Sequence, residues 1–295
     1  MKKIIEEYAN AKGIIFGICN ADNLSGLNED IINIPFFKGN FYDRVSPRIF
    51  LHGAKSIIVL GVKVCRDPIF ENLDYIMAPS LSGIDYHKRL DAIAKELISK
   101  MLEYTKFNFR IQIDSGPLIE RAFALKAGFG FIGKNNFVIN HEFGSFFNIA
   151  LIVTDMEIDA TPPSAQLSCE NCEELCIKYC PSKALSHDNK FDYSKCISYL
   201  TQKKEALSEC EMALIGISIY GCDICQNICP HNSHNIIPPS QRNLSERVLR
   251  NILSMDSKQF EEKFKNSNLF WRGEKTIRRN CGIAIDNLKG YTMKI

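Results

Sequence analysis

Strands alternating with helices over the first 160 residues, two cysteine runs that each end in Cys-Pro, and a helix-patterned remainder predict three parts. They are an α/β domain over residues 1–160, a bacterial-ferredoxin-like domain for two 4Fe-4S clusters over 161–240, and a short helical, repeat-like tail over 241–295. With 295 residues and 45% apolar content, the chain can bury sizeable cores.

Residues 2–11 predict a short helix, and the apolar runs GIIFGIC (Gly13 to Cys19) and SIIVLGV (Ser56 to Val62) are short enough to be buried strands. From Asp85 to Lys106, Leu90, Ile93, Ala94, Leu97, Ile98, Met101 and Leu102 recur at helical spacing, which predicts one amphipathic packing helix. FNFRIQID then alternates Phe107, Phe109, Ile111 and Ile113 with polar residues, the period of a strand with one buried face, and Asp114 is its last residue. Ser115 as a cap, Pro117 in a first turn, then Leu118, Ala122 and Leu125 predict a helix that stops at Gly128. NNFVIN and FFNIALIVTD predict a closing strand pair near Asp155. TPPSAQ (Thr161 to Gln166) and PPSQRN mark the two boundaries.

Eight of the twelve cysteines fall in one third of the chain, with no export signal ahead of them, so metal binding is a better reading than a disulfide framework. CENCEELCIKYCP (Cys169 to Pro181) and GCDICQNICP (Gly221 to Pro230) have ferredoxin-type spacing, in which the cysteine before proline ligates the other cluster. That crossing predicts Cys169, Cys172, Cys176 and Cys229 on one cluster. The second takes Cys180, Cys222 and Cys225, and the lone Cys196 is its natural fourth ligand. Zinc is the competing reading of the Cys-x2-Cys pairs, and the paired Cys-Pro endings argue against it. Three residues, Glu173 to Leu175, stand where ferredoxin runs usually have two, so the loop before Cys176 must bulge. Cys19, Cys65, Cys210 and Cys281 are scattered and are expected to be buried small hydrophobes.

The formal charge of +2 becomes slightly acidic once each cluster with its four thiolates adds roughly −2, so bulk charge does not announce nucleic acid. The distribution does: residues 241–295 hold 12 Lys/Arg against 6 Asp/Glu, while 1–240 hold 24 against 28. No stretch approaches the roughly 20 apolar residues of a membrane span, and acids interrupt the N-terminal segment, so the expected location is the cytoplasm with no membrane partner.

DSGPLIERAFALKAGFGFIGKNN (Asp114 to Asn136) resembles the signature of epoxyqueuosine reductases, the cobalamin-dependent enzymes that finish queuosine in transfer RNA. The resemblance extends to RVSPRIFLHGAKSIIV (Arg44 to Val59), GIDYHK (Gly83 to Lys88), FGSFFNIALI (Phe143 to Ile152), the eight cysteines, CISYLTQ (Cys196 to Gln202) and FWRGEKTIRRN (Phe270 to Asn280). It implies an α/β domain that binds base-off cobalamin, held between that domain and the clusters. It implies two-electron reduction of an epoxide by cob(I)alamin, with Asp114 as proton donor. Arg44, Ala78, Asp114, Val138, Ile149, Ser198 and Asp223 fall at cobalamin-contact positions of the family, several through backbone atoms. Because Ser198 and Asp223 flank its ligands, the cluster holding Cys222 and Cys225 is expected nearest the corrin. The tRNA anticodon stem-loop is expected at Lys203, Arg272, Gly273 and Lys275, with Lys204 beside them and Arg278 and Arg279 in the same basic stretch. A low-potential ferredoxin or flavodoxin is the implied electron donor.

A positioned acid suits an epoxide oxygen that leaves as alkoxide, but a helix N-terminus lowers a carboxyl pKa, so burial against the corrin is expected to oppose it. The bland reading makes Asp114 a helix cap. GFGFIG (Gly128 to Gly133) matches a dinucleotide fingerprint in letters only, because it follows a helix and precedes a strand. Its glycines are expected to stop the helix and admit a flat ligand. Of the six histidines, His87 is the one near the expected site, and His231 and His234 read as a polar loop. Two rivals are a reductive dehalogenase, which usually carries an export signal and a tyrosine donor, and a non-catalytic ferredoxin-type carrier. The last helix, a repeat element without its neighbours, must dock on the core.

Overall fold

Helix α1 (Lys2–Lys12) is followed by strands β1 (Ile15–Asn20) and β2 (Ser56–Lys63), as the two apolar runs predict. The computed structural model describes residues 1–26, 39–64, 76–81, 83–162, 168–170, 172–188, 190–233 and 246–292. Cys65, His234, PPSQRN and most of TPPSAQ lie outside the described residues. Contacts gather the chain into two units, Met1–Val64 with Tyr86–Asn171, and Cys65–Asp85 with Cys172–Ile295. The tail and the cysteine-rich segment from Cys172 onward therefore belong to one unit, which also takes a stretch of the first 160 residues.

The first unit holds short helices α2 (Phe41–Val45) and α3 (Pro47–Phe50), the long helix α4 (Tyr86–Leu102), strand β3 (Phe109–Gln112) and helix α5 (Glu120–Lys126). Strands β4 (Phe131–Ile132), β5 (Val138–Ile139) and β6 (Phe147–Thr154) complete it. The main sheet has the order β1-β2-β6-β3 and every pairing is antiparallel, with Ile18 opposite Ile58 and Ile58 opposite Ile152. Strand β2 explains its own sequence: Ile58, Leu60 and Val62 join one core with Ile5, Leu97 and Met101, while Ile57 and Val59 join another with Phe123 and Phe129. A strand covered on both faces needs no polar alternation.

Three expectations change here. NNFVIN and FFNIALIVTD do not pair with each other: β5 pairs with β4 in a separate two-stranded sheet, and β6 sits between β2 and β3. The helix after Asp114 begins at Glu120 with Ile119 as its cap, so Ser115 caps nothing and Pro117 precedes the first turn. Phe109 is 36% exposed, because β3 is an edge strand paired with β6 alone.

The second unit has four short helices, α6 (Leu175–Lys178), α7 (Ile197–Leu200), α8 (Glu209–Ile215) and α9 (Ile224–Asn227). The tail adds α10 (Glu246–Ser254), α11 (Ser257–Phe264), α12 (Asn268–Arg272) and α13 (Glu274–Thr292). Its core joins Ile76 and Met77 to Ile219, Tyr220, Leu249, Phe260, Phe264 and Ile277. The last helix docks as expected: buried Asn280 donates to the carbonyls of Thr201 (2.7 Å) and Ile219 (2.8 Å), and Asn287 to those of Met212 and Gly216. No helix among the described residues is long and apolar enough to cross a membrane.

Candidate functional site

In the first unit, Asp114 lies in the loop between β3 and α5 with φ +55°, a left-handed conformation that a non-glycine residue adopts only when its surroundings fix it. Tyr86, the first residue of α4, donates its hydroxyl to Asp114 Oδ2 at 2.8 Å. His87 Nε2 is 3.5 Å from the same oxygen, and its ring stacks on Tyr86 with centroids 4.1 Å apart. Ile119 and not Asp114 caps α5, and the Asp114 side chain keeps 54% of its surface exposed. Asp114 and His87 stand out in the sequence, whereas Tyr86 carries no signal of its own beyond its place in GIDYHK.

Glu120 was also missed. Its carboxyl accepts from Gln112 Nε2 at 3.2 Å and from the main-chain N–H of Asp114. Burial of the carboxyl first, and then the Asp114 charge, push it up to about 8.

Arg44 lies in α2 and is buried, its carbonyl accepting from Ile119 N–H at 3.1 Å. Burial, followed by the Arg121 charge, brings its guanidinium down to about 10, and burial lowers Arg121 too. Arg121 in turn donates to the Asn136 carbonyl. The buried Arg44 guanidinium and the half-buried Arg121 beside it form a donor set suited to an anionic group. Val138 is buried in β5, and Ile149 in β6 packs half-buried on the Phe123 core.

A Cβ at Gly130 of GFGFIG, where φ is +136°, would stand 2.0 Å from the Ile139 carbonyl oxygen, so this glycine admits a close approach of backbone to backbone.

In the second unit, Asp223 is buried and accepts from Ser80 N–H (2.7 Å), Ser80 Oγ (2.8 Å) and Gln226 Nε2 (2.8 Å). It thereby holds the segment that carries buried Ala78, whose N–H reaches the Tyr220 carbonyl at 2.8 Å. Ser198, in α7, offers its carbonyl to Thr201 Oγ1 and Gln202 Nε2.

Cys180, Cys196, Cys222 and Cys225 come together. Cys196 and Cys225 pack on the core of Cys176, Cys180 and Leu185. Burial, then the neighbouring thiols of Cys196 and Cys180 among other groups, push Cys222 up to about 12; burial, then Cys222 and Cys196, raise Cys225. Iron bound at such thiols would reverse that penalty, since a coordinating thiol is deprotonated. The extra residue before Cys176 is absorbed by Glu174, which turns left-handed at φ +55° ahead of α6, and Cys176 is buried beside Cys180. Cys229 is buried and Cys172 half-buried, whereas Cys169 falls at the end of the first unit. Of the scattered cysteines, Cys19 and Cys281 are buried as expected, but Cys210 is exposed at the start of α8, which corrects its assignment to a core. His231 lies in a 3-10 turn after Cys229.

The basic stretch divides by role. Lys275 is exposed, and Gly273 ends α12. Arg272 donates to the Gln202 carbonyl and lies 5.2 Å from the ring centre of Trp271, itself 46% exposed. Lys203 pairs with Glu211 at 2.6 Å, and Lys204 is exposed. Arg278 donates to the carbonyls of Ile252, Leu253 and Met255 at the end of α10, and Arg279 to that of Glu205, so both are structural.

Residues 168–232 match the family described as a 4Fe-4S double cluster binding domain. The epoxyqueuosine reductase of Lactococcus garvieae is 33% identical over 262 residues, covering 84% of this chain and 73% of that protein. The solved epoxyqueuosine reductase of Streptococcus thermophilus superposes with a TM-score of 0.86 at 30% identity, covering 98% of this chain and 81% of that one. An epoxyqueuosine reductase structure containing an epoxyqueuosine-modified tRNA-Tyr stem loop gives 0.85 at 28% identity, with the same coverage.

Proposed function

The chain belongs to the epoxyqueuosine reductase family, and on that premise we propose that it reduces epoxyqueuosine in tRNA to queuosine with the residues described above. The observation that carries the assignment of roles is the Asp114 loop, a half-exposed carboxyl oriented by Tyr86 and His87 at the end of an edge strand.

The reaction opens both C–O bonds of an epoxide, takes up two electrons and two protons, and releases water. Cobalamin held by these residues would supply the two electrons, and two 4Fe-4S clusters would deliver them to it. Asp114 supplies a proton to the epoxide oxygen as it leaves carbon, while Tyr86 fixes the direction of the carboxyl. The paired guanidiniums of Arg44 and Arg121 suit the anionic part of the cofactor, and Val138 and Ile149 offer it apolar surface. Ala78, Ser198 and Asp223 are further contacts for the cofactor, with Asp223 acting through Ser80.

Cys180, Cys196, Cys222 and Cys225 hold one cluster, and Cys169, Cys172, Cys176 and Cys229 the other; their mutual crowding supports the first set. Lys203, Lys275 and Arg272, with Gly273 allowing close approach, contact phosphates of the anticodon stem-loop. A low-potential ferredoxin or flavodoxin in the cytoplasm feeds the clusters. The three-part division at residues 160 and 240 gives the roles of the segments in sequence order.

The test is anaerobic reconstitution with iron, sulfide and cobalamin, followed by assay on epoxyqueuosine-containing tRNA. Asp114→Ala should retain iron and cobalamin and lose turnover by about 100-fold or more. Full activity in that variant would remove Asp114 from the mechanism.

A further inference from the structure

Gln112 and Glu120 bracket the loop that carries Asp114. Gln112, buried at the end of β3, pairs its side-chain amide with one main-chain position across the loop: Oε1 accepts from Leu118 N–H at 2.9 Å and Nε2 donates to the Leu118 carbonyl at 2.7 Å. The same Nε2 reaches Glu120 Oε1 at 3.2 Å, and the Glu120 carboxyl accepts the Asp114 N–H. The side chain of Gln112 thus imitates a strand neighbour and draws the two ends of the loop together. Gly116 completes the fit, because a Cβ there would stand 2.1 Å from the Gln112 side-chain carbonyl carbon and oxygen. Beyond the clasp, Ile119 N–H bonds the Arg44 carbonyl and anchors the far end.

We propose that Gln112 and Glu120 form a clasp that positions Asp114, holding its backbone left-handed so that its carboxyl meets Tyr86 and His87. Each acts through the loop, and is a positioning residue. Glu120 is drawn up to about 8 by burial and by Asp114, so near neutrality it is largely uncharged, and glutamine reproduces both its shape and its acceptor. That makes Glu120→Gln the conservative variant and Glu120→Ala the disruptive one.

The proposal rests on the assigned role of Asp114 in epoxyqueuosine reduction, and two readouts separate them. The first is amide hydrogen exchange across residues 113–118 in the reconstituted protein. Glu120→Ala and Gln112→Leu should exchange there at least tenfold faster, and Glu120→Gln should match the parent. The second is kinetic: the two disruptive variants should lose kcat tenfold or more with KM for tRNA and bound cobalamin unchanged, and Glu120→Gln should restore kcat. Should Gln112→Leu fail to fold, Glu120→Ala and Glu120→Gln still carry both readouts. Unchanged exchange in Glu120→Ala overturns the clasp, and so does a retained kcat despite faster exchange. A parent protein inactive on epoxyqueuosine tRNA overturns the proposed function instead, and the exchange result alone then decides the clasp.

Discussion

At the scale of single residues, the carboxyl pair Asp114 and Glu120 shows how one loop gives two acids different environments. Asp114 keeps half its side chain in solvent and meets a hydroxyl and an imidazole, whereas the Glu120 carboxyl is crowded by protein and raised to about 8. A folded-state pKa above the unfolded value near 4.5 means that the native state holds the proton more tightly. The resulting stability is complete below about pH 4.5 and is lost as pH rises through about 8. Glu120→Gln removes this titration, so its stability relative to the parent should climb between pH 5 and 8. The slope is at most about 1.4 kcal/mol per pH unit, reduced by solvent screening at the exposed edge of the residue. Urea melts at several pH values measure it, and parallel curves for the two proteins would contradict the raised pKa.

At the scale of elements, the motif FWRGEKTIRRN is less an RNA surface than its letters suggest. Arg278 closes the end of α10 and Asn280 ties α13 to the carbonyls of Thr201 and Ile219, leaving Lys275 and Trp271 outward. Asn280 is fully buried, so Asn280→Leu strands two carbonyls without a donor and should lower stability by about 3 kcal/mol, read by chemical denaturation. A loss under about 0.5 kcal/mol would mean that the helix docks by its apolar face alone. The same contrast explains what the sequence made legible. Strand β2 and helix α4 were readable because their periodicity reports burial directly: alternate residues of β2 enter two cores, and Leu90, Leu97 and Met101 line one stripe. The start of α5 was not readable. Asp-Ser-Gly-Pro is good local capping chemistry, but Gln112 satisfies the loop's backbone from outside it, and no local pattern announces such a side chain. The partners of β6 were hidden for a related reason, since a strand pattern fixes which face is buried and not which neighbour is paired. The roles proposed for Asp114 and the eight cysteines come from a family signature and from ligand spacing, two signals independent of knowing the fold.

At the scale of the whole molecule, the cysteine map is a statement about connectivity, because crossed ligation makes segments distant in sequence depend on one another. Cys180 and Cys196 come from the first part of the cluster segment and Cys222 and Cys225 from the second, yet the four crowd each other's thiols. A cubane on these four would cross-link α6, α7 and α9. Losing one ligand should then empty one cluster and leave the other, proposed above on Cys169, Cys172, Cys176 and Cys229. Cys196→Ser should therefore retain about half the iron and sulfide of the parent after anaerobic reconstitution, with one of two paramagnetic signals gone on reduction. Turnover should vanish, since the electron path to the cofactor is broken. Unchanged iron content would remove Cys196 from the ligand set. Loss of all the iron would instead show that the two clusters assemble as one cooperative unit.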